Sequence, residues 1–480
     1  MNKVFIAVLL ATALAAIEGT IVSTAIPSIT SDLSGVELIS WIYSAYLLTS
    51  AISAIIFGKL ADLFGRKKMV ITGISIFLIG SLLCGLATSM ELLIVFRAIQ
   101  GIGAGSILPI TLTIVGELFD TEKARAKGQG YISMVWGVSG IIGPLIGGFI
   151  VDQLTWHFIF LLNIPFGLGA ILLIAKYYQE ERKIQSRKID YAGALVFSIG
   201  MVALLYALIA GSNSQQWLTT SQIIYYVIAI IFIGLFIFVE NKAIEPIIPL
   251  SLFKNKRLNV INGLTLFCMA IVIGVSAYLP IYAQSVLGKN ATQAGLMLTP
   301  VSVMWTVGAI LSGNLVGRIA NKSIIQIGTV FLVIATTMLM FLSATTLPIY
   351  IYLATGILGL GMGFIAPMLI IVVQASTTRE QLGTAIGLNS FINTFSQSIG
   401  AAIFGVLFNT ATSSKLAKIG AEHINLNGSF DQSIFSSEQI NRIIEIIASG
   451  IRSVYTGALV FAIVGFVLAI LITKKQSKTH

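Results

Sequence analysis

Two charged residues of the 480-residue sequence stand where charge is costly. Glu18 falls inside an apolar run near 4–26, and Arg97 inside another near 92–117. An ionisable side chain deep in a bilayer costs roughly 2.5–3.5 kcal/mol on insertion scales, so its presence points to function. Apolar surroundings favour the neutral form of a carboxylic acid. A carboxyl that releases its proton when a cation binds, and regains it when the site opens to the other side, couples two fluxes. Arginine stays charged when buried, so Arg97 needs carbonyls, Gln100, water or a carboxylate around it. The plainer alternatives are a structural Glu18 paired with Arg97 or a hydroxyl, and an Arg97 bonded only to helix backbones.

Further residues are candidates by type and spacing. The stretch Gly58-Lys59-Leu60-Ala61-Asp62-Leu63-Phe64-Gly65-Arg66-Lys67-Lys68 joins two apolar runs. Gly58 and Gly65 suit close helix approach and a tight turn. Asp62 suits a helix N-terminus or a basic neighbour. Arg66 suits an acid at the end of the fourth run, where Glu117 and Asp120 lie. Such a cluster of charges would latch two halves of a moving protein on one side, whereas Lys67 and Lys68 read as simple anchors. Gly137, Gly140, Gly143, Gly147 and Gly148, with Pro144, offer either a flexible gate or ordinary close packing. Asn389, Asn393 and Gln397 recur every four residues and mark a polar helix face. Together with Trp41, Tyr43, Gln100 and Met134 they are candidates for lining a substrate cavity; lipid or helix contact is the plainer reading of the aromatic and Met residues.

Other chemistries find no support. The histidines (His157, His423, His480) are scattered, and Cys84 and Cys268 both lie in apolar runs, so neither a metal site nor a disulfide framework is expected. No phosphate loop ending in Gly-Lys-Ser/Thr is present, which argues against drive by ATP within this chain. No cofactor is expected, and protons are the expected coupling ion. A membrane enzyme would show clustered acids, His or Cys in its spans.

The elements that carry these residues follow from composition. The chain is 56% hydrophobic and 10% charged, with a mean hydropathy of +0.94. Soluble proteins carry about 25% charged residues, so the expected solvent is lipid. A spanning helix takes roughly 20 mostly apolar residues. Fourteen such runs are expected, near 4–26, 39–60, 70–88, 92–117, 129–152, 158–178, 190–211, 222–241, 258–284, 293–317, 325–343, 347–374, 383–408 and 453–473. The first resembles a signal peptide, but its length, Glu18 and the spans that follow favour a retained helix. The net charge of +10 is gathered in short clusters between runs, a topology signal rather than a nucleic-acid face. With the N-terminus inside, only Lys289, Lys415, Lys418, Arg442 and Arg452 fall outside and Arg97 within a span; the other basic residues are cytoplasmic. Both termini are therefore expected in the cytoplasm. One long external segment, about 409–451, begins polar and turns amphipathic, with Ile440, Ile443, Ile444 and Ile447 on one face and Ser436 or Ser437 as a cap. It is expected to form a separate helix lying on the outer interface, or less simply a lid.

The sequence also repeats itself. Gly58 to Gly73 matches Gly313 to Gly328; Gly101-Ile102-Gly103-Ala104-Gly105 with Pro109 matches Gly359-Leu360-Gly361-Met362-Gly363 with Pro367; Gly143 and Gly148 match Gly400 and Gly405. The offset stays nearly constant and crosses eight spans, so the copies share one orientation. The expected architecture is an all-α integral membrane protein with a six-helix bundle (1–188), two inserted helices (189–257) and a second six-helix bundle (258–480). Parallel repeats of this kind are a transporter arrangement, with substrate between the halves.

The Gly58–Lys68 stretch closely resembles the signature loop of the major facilitator superfamily. Arg97-Ala98-Ile99-Gln100-Gly101 resembles that family's basic motif, and Gly137 with Ser139-Gly140-Ile141-Ile142-Gly143-Pro144 and Gly147-Gly148 resembles its antiporter motif. Glu18-Gly19-Thr20-Ile21-Val22, Ala25-Ile26-Pro27 and Trp156 leading into Asn163-Ile164-Pro165 agree. With fourteen spans the chain is similar to the drug:proton antiporter branch. The resemblance implies a major facilitator fold, a cell-membrane location, function as a monomer in the lipid bilayer, small-molecule substrates, no nucleic-acid partner, and multidrug efflux driven by protons. The sequence departs from the branch at Glu18 (usually aspartate), Leu63 (commonly basic), His157 (usually arginine) and Gly317 (aspartate in a full second copy of the signature loop). Export of an endogenous metabolite or lipid through the same fold is the alternative.

Overall fold

The computed structural model describes residues 3–33, 38–180, 190–214, 218–243, 245–343, 345–419 and 436–472. Its named elements are helices: α1 (Lys3–Leu33), α2 (Ile39–Phe64), α3 (Arg66–Cys84), α4 (Met90–Leu118), α5 (Glu122–Gln153), α6 (His157–Leu161), α7 (Asn163–Tyr177), α8 (Tyr191–Ser214), α9 (Thr220–Lys242), α10 (Lys256–Ile281), α11 (Ala291–Leu296), α12 (Thr299–Leu315), α13 (Asn321–Met340), α14 (Pro348–Ser376), α15 (Leu382–Ala417) and α16 (Ser437–Leu471). Short connectors of tighter or wider helix lie at Leu250–Lys254, Tyr282–Val286 and Arg379–Gln381. Fourteen of the resulting segments are long and apolar enough to cross a membrane. Backbone groups inside lipid must bond within their own segment, which is why these runs are helices. Exposed Ile230, Ile231, Leu172 and Leu145 would be a liability in water; in lipid they are the natural outer face.

The chain divides into two compact units. Unit 1 comprises Met1–Ile209, Leu218–Asn259 and Ile370–Thr394; unit 2 comprises Ala210–Trp217, Val260–Leu369 and Phe395–His480. Within each unit the same glycine-mediated packing recurs. In unit 1 a Cβ on Gly101 would lie 2.4 Å from the Tyr46 carbonyl oxygen, on Gly105 2.1 Å from that of Ser50, and on Gly103 2.7 Å from that of Gly73. In unit 2 a Cβ on Gly359 would lie 2.2 Å from the Val301 carbonyl oxygen, on Gly363 2.3 Å from that of Trp305, and on Gly361 2.8 Å from that of Gly328. Each contact is the other displaced by the offset seen in the sequence. The glycines bring α4 against α2 and α3, and α14 against α12 and α13, at distances no side chain allows. Pro109 and Pro367 sit at matching places inside α4 and α14.

This packing yields a prediction. Gly105→Val would force the α2–α4 contact apart and should cost about 1–3 kcal/mol through overpacking. A thermal melt of the purified protein in detergent should show a clear loss; an unchanged melt would mean the two helices are not in contact.

One expectation is corrected. The amphipathic stretch after Ser436 is not a separate interface helix: α16 runs unbroken for 35 residues from Ser437 to Leu471. Ser436 caps it through a reciprocal capping box with Gln439. Ile443 and Ile447 are buried, because an amphipathic stripe and a membrane helix share one period and the chain never breaks between them. The polar part of that external segment, 420–435, lies outside the described residues.

Candidate functional site

Glu18 and Arg97 come together in unit 1, each only 1% exposed. Arg97 lies two turns into α4, whose first turn is capped by Ser89, its side chain accepting from the Leu92 N–H. Its Nη1 forms an ion pair with Glu18 Oε1. The same guanidinium donates to Gln100 Oε1 at 2.7 Å and, through Nε, to the Ile42 carbonyl at 3.1 Å. It also stacks over the Tyr46 ring, 4.2 Å from the centroid. Glu18 Oε2 accepts from Asn163 Nδ2 at 2.7 Å. Ser81 closes the network: its hydroxyl accepts from Asn163 at 2.9 Å and from Gln100 at 3.1 Å, and donates to the Phe160 carbonyl at 2.8 Å.

The energetics follow from this arrangement. Desolvating two charges costs several kcal/mol each unless the remaining bonding capacity is also met. Here α1, α2, α3, α4, α6 and α7 each contribute a group. Asn163 stands at the first residue of α7, just past the break at Leu162, and points its amide at the carboxylate. Gln100, a candidate both for the surroundings of Arg97 and for a cavity wall, is fully buried and bonds Arg97 and Ser81. Asn163, Ser81 and Tyr46 were not foreseen as partners of the pair.

A second charged cluster sits at the α2–α3 turn. One residue, Gly65, with φ 95°, separates the two helices; only glycine takes that conformation without strain. Asp62 accepts from the backbone N–H groups of Gly383 (2.9 Å) and Thr384 (2.6 Å) and from the Thr384 hydroxyl (2.9 Å), and so caps α15. A carboxylate at a helix N-terminus is favoured by the helix dipole. Close approach permits it, since a Cβ on Gly58 would lie 2.6 Å from the Gly383 carbonyl oxygen. Arg66, 1% exposed, is ion-paired with Glu117 and lies 3.4 Å from Asp62; it also donates to the Arg379 carbonyl at 3.2 Å. Tyr178 donates to the second Glu117 oxygen at 3.4 Å. Burial first, and the Glu117 charge second, push the Tyr178 hydroxyl pKa well above the usual phenol range, so it remains a donor.

The remaining candidates are dispersed. Gly143 and Gly147 seat α5 on α1, with Cβ positions 2.1 Å from Thr20 Oγ1 and 2.3 Å from Thr24 Oγ1. Thr20 also donates across to the Ser139 carbonyl at 3.2 Å. Gly137 and Gly140 are half-buried, and Gly148 faces open space; the side chain of Pro144 lies outside the described residues. Trp41 stacks on Tyr206 of α8 at 5.0 Å. Tyr43 packs on the apolar core around Ile21 and Trp156, Met134 is exposed, Asn389 is buried, and Asn393 and Gln397 are half-buried.

A helical protein with fourteen potential membrane spans, internally repeated packing and a buried ion pair is a membrane transporter in its build. The family model of the Major Facilitator Superfamily matches residues 8–401, and the chain belongs to that superfamily. It is 36% identical over 401 residues to the multidrug transporter protein MdtP of Bacillus subtilis strain 168, covering 84% of this chain and 74% of the relative. It is 33% identical to multidrug resistance protein 3 of the same organism, covering 99% and 96%. It is 31% identical to the multidrug efflux pump SdrM of Staphylococcus aureus strain N315, covering 84% and 89%. Among solved structures, the proton:xylose symporter XylE superposes with a TM-score of 0.67 at 13% identity, covering 99% of this chain and 97% of that one. The human organic anion transporter MFSD10 gives 0.66 at 14%, covering 97% and 99%. The protein is therefore a multi-pass membrane transporter of small molecules and not an enzyme.

Proposed function

We propose that the chain exports small amphipathic or cationic compounds in exchange for protons, by exposing a central site alternately to the two sides of the cell membrane. The observation that carries this reading is the buried Glu18–Arg97 pair. Arg97 keeps the Ile42 carbonyl, Gln100 and the Tyr46 face whether or not Glu18 is charged. A proton can therefore neutralise Glu18 without leaving the guanidinium bare. Loss of the ion pair then frees Glu18 from Arg97 and relaxes the joint between α1 and α4. Each proton moved inward down a membrane potential contributes about 2.3 kcal/mol per 100 mV, enough to drive a useful substrate gradient. The names of the efflux relatives support the substrate class, and the clustering of basic residues supports cytoplasmic termini. In this reading Asp62, Arg66 and Glu117 form the inner latch, the protein works as a monomer, and no resident cofactor takes part.

The test uses purified protein in sealed liposomes with ethidium as probe. An imposed pH gradient should drive ethidium accumulation, and a proton uncoupler should release it. Uphill accumulation that persists with no pH or voltage difference would overturn the reading.

A further inference from the structure

The inserted helices α8 and α9 have no role in the function as argued so far, yet both linkers that flank them end on the same turn. The linker leaving α7 carries Glu180. Its Oε1 accepts the Arg66 N–H at 2.8 Å and its Oε2 accepts the Lys67 N–H at 3.3 Å. Glu180 thus caps α3 from outside that helix, in the space that a Cβ at Gly65 would fill; that atom would lie 2.6 Å from Oε2. Two residues earlier, Tyr178 reaches Glu117. On the far side of the pair, the linker leaving α9 carries Glu245, whose carboxylate holds Lys59 Nζ at 3.1 Å. That linker is folded back by Glu240, buried at the end of α9, whose Oε1 accepts the N–H groups of Ile247 (3.0 Å) and Ile248 (3.3 Å). Lys59, Gly65, Arg66 and Lys67 all belong to the signature turn.

Ring contacts extend the pattern. Tyr206 of α8 stacks on Trp41 of α2, and Phe197 of α8 meets Phe391 of α15 at 5.6 Å. These are the two helices that Asp62 joins. Helix α8 thus touches both partners of the Asp62 contact, and the linkers on either side of the inserted pair reach the turn between α2 and α3.

We propose that α8 and α9 are a working part of the inner latch, with Glu180 and Glu245 as positioning residues that fix the signature turn in its closed form. The proposal rests on the latch reading given above. A side-chain cap lost from a helix start shifts a local equilibrium by about fivefold. Opening of the latch should respond accordingly, while substrate contacts stay intact.

The experiment measures ethidium transport by the full chain in liposomes for Glu180→Gln, Glu245→Gln and Asp62→Asn. It is paired with the spin-label distance between probes at Lys123→Cys and Lys322→Cys, the starts of α5 and α13. The buried native Cys84 and Cys268 leave the added thiols as the reactive ones. Glu180→Gln should lower the maximal rate about fivefold and Glu245→Gln, which loses an ion pair rather than a cap, about twofold; KM should stay within about twofold in both, and both should shift the distance distribution to longer values. Glu180→Asp, which retains the capping carboxylate, should recover part of both. If Asp62→Asn changes rate and distance but the two linker variants match wild type in both, the inferred role of the inserted pair is wrong. If Asp62→Asn is also silent, the latch reading falls and this inference with it. Should Glu180→Gln fail to fold, Glu245→Gln, on a partly exposed residue, decides the same question by itself.

Discussion

In energised liposomes, Glu18→Gln is expected to reduce uphill ethidium export to the passive leak, while downhill exchange of ethidium persists. Glutamine matches glutamate in size and keeps an acceptor for Arg97 Nη1, but it takes up no proton near neutral pH. The cost to stability should be about 3 kcal/mol, the low end for removing one member of a buried pair, because the amide still offers Arg97 an acceptor. Arg97 retains three of its supports: the Ile42 carbonyl, Gln100 and the Tyr46 ring. Asn163 can rotate its amide to offer oxygen in place of nitrogen. The separation of uphill from downhill movement is the discriminating result. A packing defect slows both, whereas loss of the coupling group removes only the first. Full gradient-driven accumulation by Glu18→Gln would take Glu18 out of the mechanism.

The second large effect concerns the other partner. Arg97→Met leaves the Glu18 carboxylate, the Gln100 oxygen and the Ile42 carbonyl without their common donor. Removing one member of a buried pair costs about 3–5 kcal/mol, so Arg97→Met should melt far below wild type in detergent and reach the membrane poorly. The double variant Glu18→Gln/Arg97→Met removes both charges and should recover much of that loss, because no unpaired charge remains. Its export should stay at the leak. Stability that returns without transport would show a strongly non-additive pair. An Arg97→Met single variant that melts like wild type would show that the pair is not held as described.

The two charged members of this network were legible in the sequence because a charge inside an apolar run is rare and expensive. Their neutral partners were not. Ser81 and Asn163 are polar residues in spans like many others, where threonines and serines commonly bond back to their own helix, as Thr12 does to Val8. Which polar residues meet is decided by six helices converging, and no local pattern encodes that convergence. The repeat was readable for the opposite reason: glycines at fixed spacing leave a visible trace wherever two backbones touch. Arg66 pairs with Glu117, one of the two acids that the sequence offered, whereas Asp62 finds its helix start more than three hundred residues along the chain. Glu180 looked like any cytoplasmic acid after a span. The continuity of α16 is not legible because its amphipathic turns and its membrane turns share one period.

The helices differ in length, and the difference has a bearing on the membrane itself. At 1.5 Å per residue, the 35 residues of α16 extend about 52 Å and the 19 of α3 about 28 Å. A hydrocarbon layer is about 30 Å thick. The helix of α16 continues past such a layer, its outer turns carrying Glu438, Arg442, Glu445 and Arg452. There is no such slack at α3, which is closed by glycine at both ends, Gly65 and Gly85. Hydrophobic mismatch is therefore felt at α3, where the lipid must thin or the helix must stand more upright.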